Sequence, residues 1–221
     1  MKGSIFLLLI RLASATIIFD IDDKSQVTNL EIGKNIKTSQ FTLCFTLQIE
    51  EAHANIDIFE GENLGLTIKY VKKYGFFRLG KVRHIFAVPK GIFHPFAWFN
   101  FCITMNQTSY SIVVQDHHWY SFERNLDKEI PKDISIDNLS FGISPGLLIS
   151  KFNIWSKAFS IYELEEATHE CPGAFGSEPD IFNWDTLDLT DFGNQTAVKD
   201  IDETEICHHF VVPEVKVIPK R

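Results

Sequence analysis

Alternation of apolar and polar side chains dominates this chain. From Phe41 to Ile49 every second residue is apolar: Phe41, Leu43, Phe45, Leu47 and Ile49 share one face, and Thr42, Cys44, Thr46 and Gln48 share the other. A period of two marks a strand with one face turned to a core. The same pattern predicts a strand over Trp98–Met105, with Phe99, Phe101, Ile103 and Met105 apolar against Asn100, Cys102 and Thr104. Shorter apolar or alternating runs predict further strands over Thr16–Phe19, Val27–Ile32, Ile56–Phe59, Leu64–Val71, Phe76–Leu79, Val82–Ala87, Ser109–Gln115 and Ile134–Ile143. Residues suited to tight turns separate them, such as Glu60-Gly61-Glu62-Asn63 and the hairpin tip Asn106-Gln107-Thr108. Residues 116–133 read as a polar connection, and Asp185 to Glu205 as an acidic stretch. Phe210 to Ile218 reads as one more strand or a disordered tail.

The densest pattern runs from Leu147 to Trp184. Strand-like alternation over Leu147–Trp155 puts Leu148, Phe152 and Ile154 on one face and Ile149, Lys151, Asn153 and Trp155 on the other. Ser160 and Glu163 then form a capping box, which predicts a helix over Ile161–His169. Cys171-Pro172-Gly173 ends it, since proline cannot continue the N–H ladder. So short a helix is unstable alone in water and must lie on a sheet. The prediction is an all-β antiparallel sandwich with one short helix.

Composition supports pleated, aromatic-packed strands, since the 221 residues include 20 Phe and only two Met. Lys2, the apolar run Ile5–Ile10 and Ala13-Ser14-Ala15 read as a secretory signal peptide over residues 1–15, cleaved after Ala15. No later stretch is long and apolar enough to span a bilayer, so no membrane span is expected. Removing the leader takes away Lys2 and Arg11 and no acid, so the net charge moves from −8 to −10. That charge repels phosphate backbones, so no nucleic-acid partner is expected. In a secreted chain the four cysteines imply two disulfides, with three connectivities open. Cys44 and Cys102 both lie on the polar face of their strands, so neighbouring strands would allow them to meet.

Three features together resemble pentraxins and their laminin-G-like relatives. The first is the order Phe152-Asn153-Ile154-Trp155, Ser160-x-x-Glu163-Leu164, Cys171-x-Gly173 and Asn183-Trp184. The others are Phe41-Thr42-Leu43-Cys44-Phe45 and Phe101-Cys102-Ile103-Thr104. The resemblance covers roughly Ile17 to Leu189. It implies a concanavalin A-like β-sandwich, or jelly roll, over 16–190, followed by an acidic tail over 191–221. It also implies a Cys44–Cys102 bridge. Cys171 and Cys207 are left to pair, which would tie the tail to the helix end.

Pentraxins bind ligands through calcium, and Glu62-Asn63 sits where the resemblance puts one part of that site. The family's larger acidic loop would fall in Ile143–Leu148, which contains no Asp, Glu, Asn or Gln. Calcium takes six to eight oxygens, so recognition without calcium or any other cofactor is expected. The histidine pairs His117-His118 and His208-His209 are adjacent residues. On a strand they would point to opposite faces, which is unsuited to gripping one ion.

Asp200-x-Asp202-x-x-Glu205 mimics the carboxylate spacing of β-glucanases that share this sandwich. The leading Glu is replaced and the segment abuts Cys207, so a degenerate glycoside hydrolase is only a third reading. Sequons at Asn106, Asn138 and Asn194 mark possible glycan acceptors. Trp119 and Tyr120 are the candidate ligand-stacking aromatics. The sequence therefore points to a secreted, non-catalytic recognition module for a carbohydrate or other surface ligand. The alternative is a structural or protein-interaction domain without lectin activity.

Overall fold

The computed structural model of the chain describes residues 15–21, 28–31, 36–50, 56–69, 74–87, 97–114, 117–123, 133–136, 138–141, 146–169, 177–187, 198–202 and 206. The strands are β1 (Ala15–Ile21), β2 (Thr28–Glu31), β3 (Lys37–Thr38), β4 (Phe41–Ile49), β5 (Ile56–Gly61), β6 (Leu64–Lys69), β7 (Tyr74–Leu79) and β8 (Val82–Ala87). They continue with β9 (Trp98–Met105), β10 (Ser109–Val114), β11 (His117–Glu123), β12 (Ile134–Ser135), β13 (Asn138–Phe141), β14 (Leu147–Trp155) and β15 (Val198–Asp202). The helix α1 (Ile161–His169) lies where the capping box places it, and a short 3-10 turn follows at Trp184–Thr186.

Two antiparallel sheets carry the fold. One has seven strands in the order β11-β10-β9-β4-β14-β1-β15, and the other six in the order β2-β13-β5-β6-β7-β8. Between them lies one aromatic core. Phe45 stacks on Phe101 at 5.2 Å and meets Phe59 of the opposite sheet edge-on at 6.1 Å. Phe152 meets Phe59 at 5.8 Å and Phe141 at 5.1 Å. The apolar faces of β4 and β9 point into this core as the alternation predicts.

Three local departures have physical causes. In β14, Ser150 pairs with Thr46 and Asn153 with Cys44, so one extra residue is accommodated between them. Lys151 takes the turn in the left-handed region, at φ 51°. This bulge changes the phase of the strand. Leu147 and Ile149 face the core before it, and Phe152 and Ile154 after it. The expected grouping of Leu148 with Phe152 and Ile154 is therefore corrected: Ile149 takes the inward position. The predicted strand Ile134–Ile143 is split, since β12 pairs with β3 whereas β13 joins the six-stranded sheet. Residues expected to be loop also form strands. β11 arises in the polar connection, and β15 arises within the acidic stretch as the partner of β1.

The outer face of the seven-stranded sheet is covered. α1 packs on β9, β10 and β11. Beneath it Cys44, Cys102, Val113, Trp155, Phe159 and Leu164 form a second small core. Cys44 and Cys102 are register partners and are joined by a disulfide with Cα atoms 4.2 Å apart. Cys171 and Cys207 lie outside the described residues.

The polar positions of β4 and β9 are buried under this cover. Thr46 Oγ1 donates to Asn100 Oδ1 at 2.8 Å, and Asn100 Nδ2 donates to the Thr168 carbonyl at 3.1 Å. Thr42 donates to the Lys157 carbonyl at 2.8 Å, and Thr104 to the Phe159 carbonyl at 3.0 Å. The threonines and asparagine thus form a socket that satisfies the chain leading into and out of α1, as buried polar groups require.

Ser160 N donates to Glu163 Oε2 at 2.7 Å, and Glu163 N returns a bond to Ser160 Oγ at 3.3 Å. This cap contributes about 1 kcal/mol. The bond from the Ser160 backbone, with those from its hydroxyl and from Lys157, holds the Glu163 carboxyl below its ordinary range.

Candidate functional site

The outer face of the six-stranded sheet is a mixed polar and aromatic surface. Its strands place side chains in rows across the sheet. One row runs Glu60, Gly65, Arg78, Arg83, and the next runs Asp57, Thr67, Phe76, Ile85. Lys69 and Tyr74 are opposed in a third. These rows enclose a shallow depression of about 190 Å³. Gly65 makes it possible: a Cβ there would stand 3.4 Å from Arg78 Nε, so a larger side chain would fill the hollow and press on the guanidinium.

Arg78 is the organising group. Its Nη1 donates to the Glu62 carbonyl at 2.7 Å and to the Gly80 carbonyl at 3.3 Å. Its Nη2 donates to the Gly61 carbonyl, to the Leu64 carbonyl at 3.3 Å, and to Glu60 Oε1 at 3.4 Å. Arg78 therefore fastens the β5–β6 turn. Beside it Thr67 Oγ1 donates to Asp57 Oδ1 at 2.7 Å, which fixes a hydroxyl and a carboxylate together on the surface. Tyr74 holds Phe76 edge-on at 5.0 Å, and Lys69 Nζ lies 6.0 Å from the centre of the Phe76 ring. Ile85 extends this apolar strip to the sheet edge and is 58 % exposed.

The residues singled out from sequence are not gathered here. Glu62 is exposed and Asn63 half-buried, in the turn that Arg78 fastens. Three carbonyls of that turn, those of Gly61, Glu62 and Leu64, already face a guanidinium, so the turn does not fit a calcium ion as a second cation. Among the described residues no three His, Cys, Asp or Glu side chains gather as a metal cluster.

Tyr120 is half-buried, stacked on Phe122 at 5.5 Å and 6.4 Å from Phe86, and so serves the sandwich edge. A bulge pairs Ile112 with Tyr120 and Val113 with His118, leaving Trp119 as the extra residue. The side chains of His117, His118 and Trp119 lie outside the described residues, as do His208 and His209.

Asn106 is exposed at its hairpin tip, where its Oδ1 accepts from Thr108 N and Ser109 N at 2.8 Å each. Asn138 is exposed at the start of β13, and Asn194 lies outside the described residues. Asp200 and Asp202 belong to β15, and Glu205 lies outside the described residues. The depression itself was legible as a missed alternation. Thr67-x-Lys69, Tyr74-x-Phe76-x-Arg78 and Arg83-x-Ile85 are the outward halves of β6, β7 and β8.

No protein-family model matches the chain, and no curated protein sequence matches it. Solved structures do. The native heptameric SAP-like pentraxin from Limulus polyphemus superposes with a TM-score of 0.62 at 10 % identity, over 86 % of this chain and 93 % of that one. The botulinum neurotoxin serotype D binding domain superposes with a TM-score of 0.54 at 17 % identity, over 69 % of this chain. The same values hold for the serotype D ligand binding domain in complex with N-acetylneuraminic acid. This chain matches less than half, 45 %, of the length of those neurotoxin domains. Two antiparallel sheets, one short helix and these superpositions together give the chain the pentraxin-like, concanavalin A-like β-sandwich fold.

Proposed function

We propose that this chain is a secreted, non-catalytic recognition module that binds a carbohydrate, without calcium, on the outward face of its six-stranded sheet. The observation that carries the proposal is the depression built by Phe76, Asp57, Thr67 and Arg83 around the fixed Arg78. A flat ring takes the apolar face of a sugar. Beside it, a carboxylate, a hydroxyl and a guanidinium can exchange hydrogen bonds with sugar hydroxyls. The turn that would be asked to hold calcium has its carbonyls engaged by Arg78, which supports a metal-free reading. The complex of a similarly folded neurotoxin domain with N-acetylneuraminic acid is in keeping with a glycan ligand.

Secretion is part of the proposal. It is supported by the apolar leader over residues 1–15 and by the Cys44–Cys102 disulfide, which persists in oxidising compartments. No helix among the described residues is long and apolar enough to cross a membrane. A sandwich over 16–190, a tail over 191–221 that adds β15 to its seven-stranded sheet, the Cys171–Cys207 bridge and glycans at Asn106, Asn138 and Asn194 belong to the same proposal. The alternative, a protein-interaction domain, is favoured by the exposed Ile85 on the edge strand β8.

A glycan array probed with and without chelator tests the proposal. Binding to at least one glycan should survive chelation and be lost in Phe76→Ala. No binding, or binding that the chelator abolishes, overturns it.

A further inference from the structure

We propose that Arg83, with Arg78 opposite it and Phe76 beside it, is a subsite for the acid group of an anionic sugar. This rests on the reading that the outer face of the six-stranded sheet binds glycans, and it specifies which class.

Arg78 and Arg83 are direct cross-strand partners, and both line the depression. Like charges placed directly opposite destabilise a sheet. Arg78 relieves its own charge on Glu60 and on the turn carbonyls. Arg83 is exposed, and among the described residues it has no hydrogen bond or ion pair. Its guanidinium is therefore a fork of donors beside a second cation, an arrangement that an incoming anion would complete. Guanidinium suits carboxylate and sulfate because it offers parallel donors in a plane.

The depression carries Lys69, Arg78 and Arg83 against Asp57 and Glu60, a local excess of positive charge. The chain as a whole carries −8. A cationic hollow on an acidic protein draws anions to that place and not to the rest of the surface.

Phe76 opposes Ile85 two residues along from the Arg78–Arg83 pair. Two residues span about 7 Å on a strand. That distance lets a sugar ring lie over Phe76 and Ile85 while an acid group borne on it, or on its neighbour, reaches Arg83. Asp57 and Thr67 in the Phe76 row remain for neutral hydroxyls.

The test measures binding of three probes to the whole chain, with chelator present and at near-physiological salt: an oligogalacturonate, a sulfated glucan oligosaccharide and a neutral glucan oligosaccharide of matched length. At least one acidic probe should bind about tenfold or more tighter than the neutral one, which is the effect of one charge-assisted contact. The carboxylate and sulfate arms report which acid group is taken. Arg83→Gln should remove that preference, weakening the acidic probe about tenfold more than the neutral one. Phe76→Ala should weaken both.

Because the Arg78–Arg83 repulsion is relieved, Arg83→Gln should also unfold at a slightly higher temperature without ligand, which separates loss of binding from loss of fold. Equal affinity for neutral and acidic probes, or an acidic preference untouched by Arg83→Gln, overturns the acid subsite while sparing the glycan face. Acidic binding that is insensitive to Phe76→Ala, or no binding by any probe, overturns both.

Discussion

The two outer faces of this sandwich solve the same problem in opposite ways. Each sheet turns one face to the common aromatic core and must do something with the other. On the seven-stranded sheet the buried outward polar residues include the small, uncharged Thr42, Thr46, Asn100, Thr104 and Ser111, set around the apolar cluster of Cys44, Cys102, Val113 and Trp155. They are buried beneath α1 and the chain around it, where carbonyls of Lys157, Phe159 and Thr168 accept their hydrogen bonds. On the six-stranded sheet most outward residues are charged or aromatic, and among the described residues no helix covers them. Threonine and asparagine are short enough to bond to a chain lying directly on the sheet. Arginine, lysine and phenylalanine would hold such a chain away, and burying their charges would be costly. The side-chain types thus decide which face is closed by the protein itself and which is left for something else.

The closed face depends most on its disulfide. Cys44 and Cys102 are separated by 58 residues. By loop entropy their bridge contributes about 4 kcal/mol. The double substitution Cys44→Ala with Cys102→Ala should therefore lower the denaturant midpoint strongly, read by chemical unfolding. A loss below about 1 kcal/mol would mean that the polar socket and helix hold this face without a crosslink, since typical removals cost several times that.

The socket itself comes next. Asn100→Leu leaves the Thr46 hydroxyl without its acceptor and the Thr168 carbonyl without the Asn100 donor. Orphaned buried groups cost about 1–3 kcal/mol. The cost should appear in thermal unfolding, and glycan affinity of the folded protein should be unchanged. A change in affinity would join the two faces that the comparison separates.

Much of the fold was legible because its strongest elements carry local signals. β4, β8, β9 and β14 fall within the bounds that alternation predicts, and the capping box places α1. What alternation could not show was a change of phase. The bulge at Lys151 arises where one β14 residue has no partner on β4, a property of pairing and not of the strand itself. β11 and β15 were missed because their residues are polar and their strandedness comes from tertiary partners, β10 and β1. The candidate site was missed for a similar reason. Tyr120 looked like a platform, whereas its ring packs on Phe86 and Phe122. Phe76 was legible only as part of a short strand without an assigned face, and the fold turns it outward beside Arg78 and Arg83. A polar pattern says which residues share a face but not whether a helix will later cover it.

The smallest expected effect lies at the seam where the two sheets meet. His84 sits on β8 between the outward residues Arg83 and Ile85, and its own ring turns inward. It lies 4.6 Å from the Tyr110 ring and 5.1 Å from the Phe122 ring. Neither its Nε2 nor the Tyr110 hydroxyl has a hydrogen-bond partner among the described residues. Burial without a partner lowers the His84 pKa below its ordinary 6.5. Burial also raises the Tyr110 pKa, so that hydroxyl stays protonated at all the pH values concerned and offers no compensating negative charge.

With a folded pKa below the unfolded one, the unfolded chain binds the proton first. Stability is therefore fully present above about pH 6.5 and falls as pH drops from there toward the lowered folded value. Melting temperature should be lower at pH 5.5 than at pH 7.5, and His84→Phe should shrink that difference while keeping the ring contacts. A pH dependence of equal size in His84→Phe would assign it to the exposed carboxylates instead. If the difference does shrink, mild acid loosens the strand that presents Arg83, which makes the open face the more sensitive of the two to its surroundings.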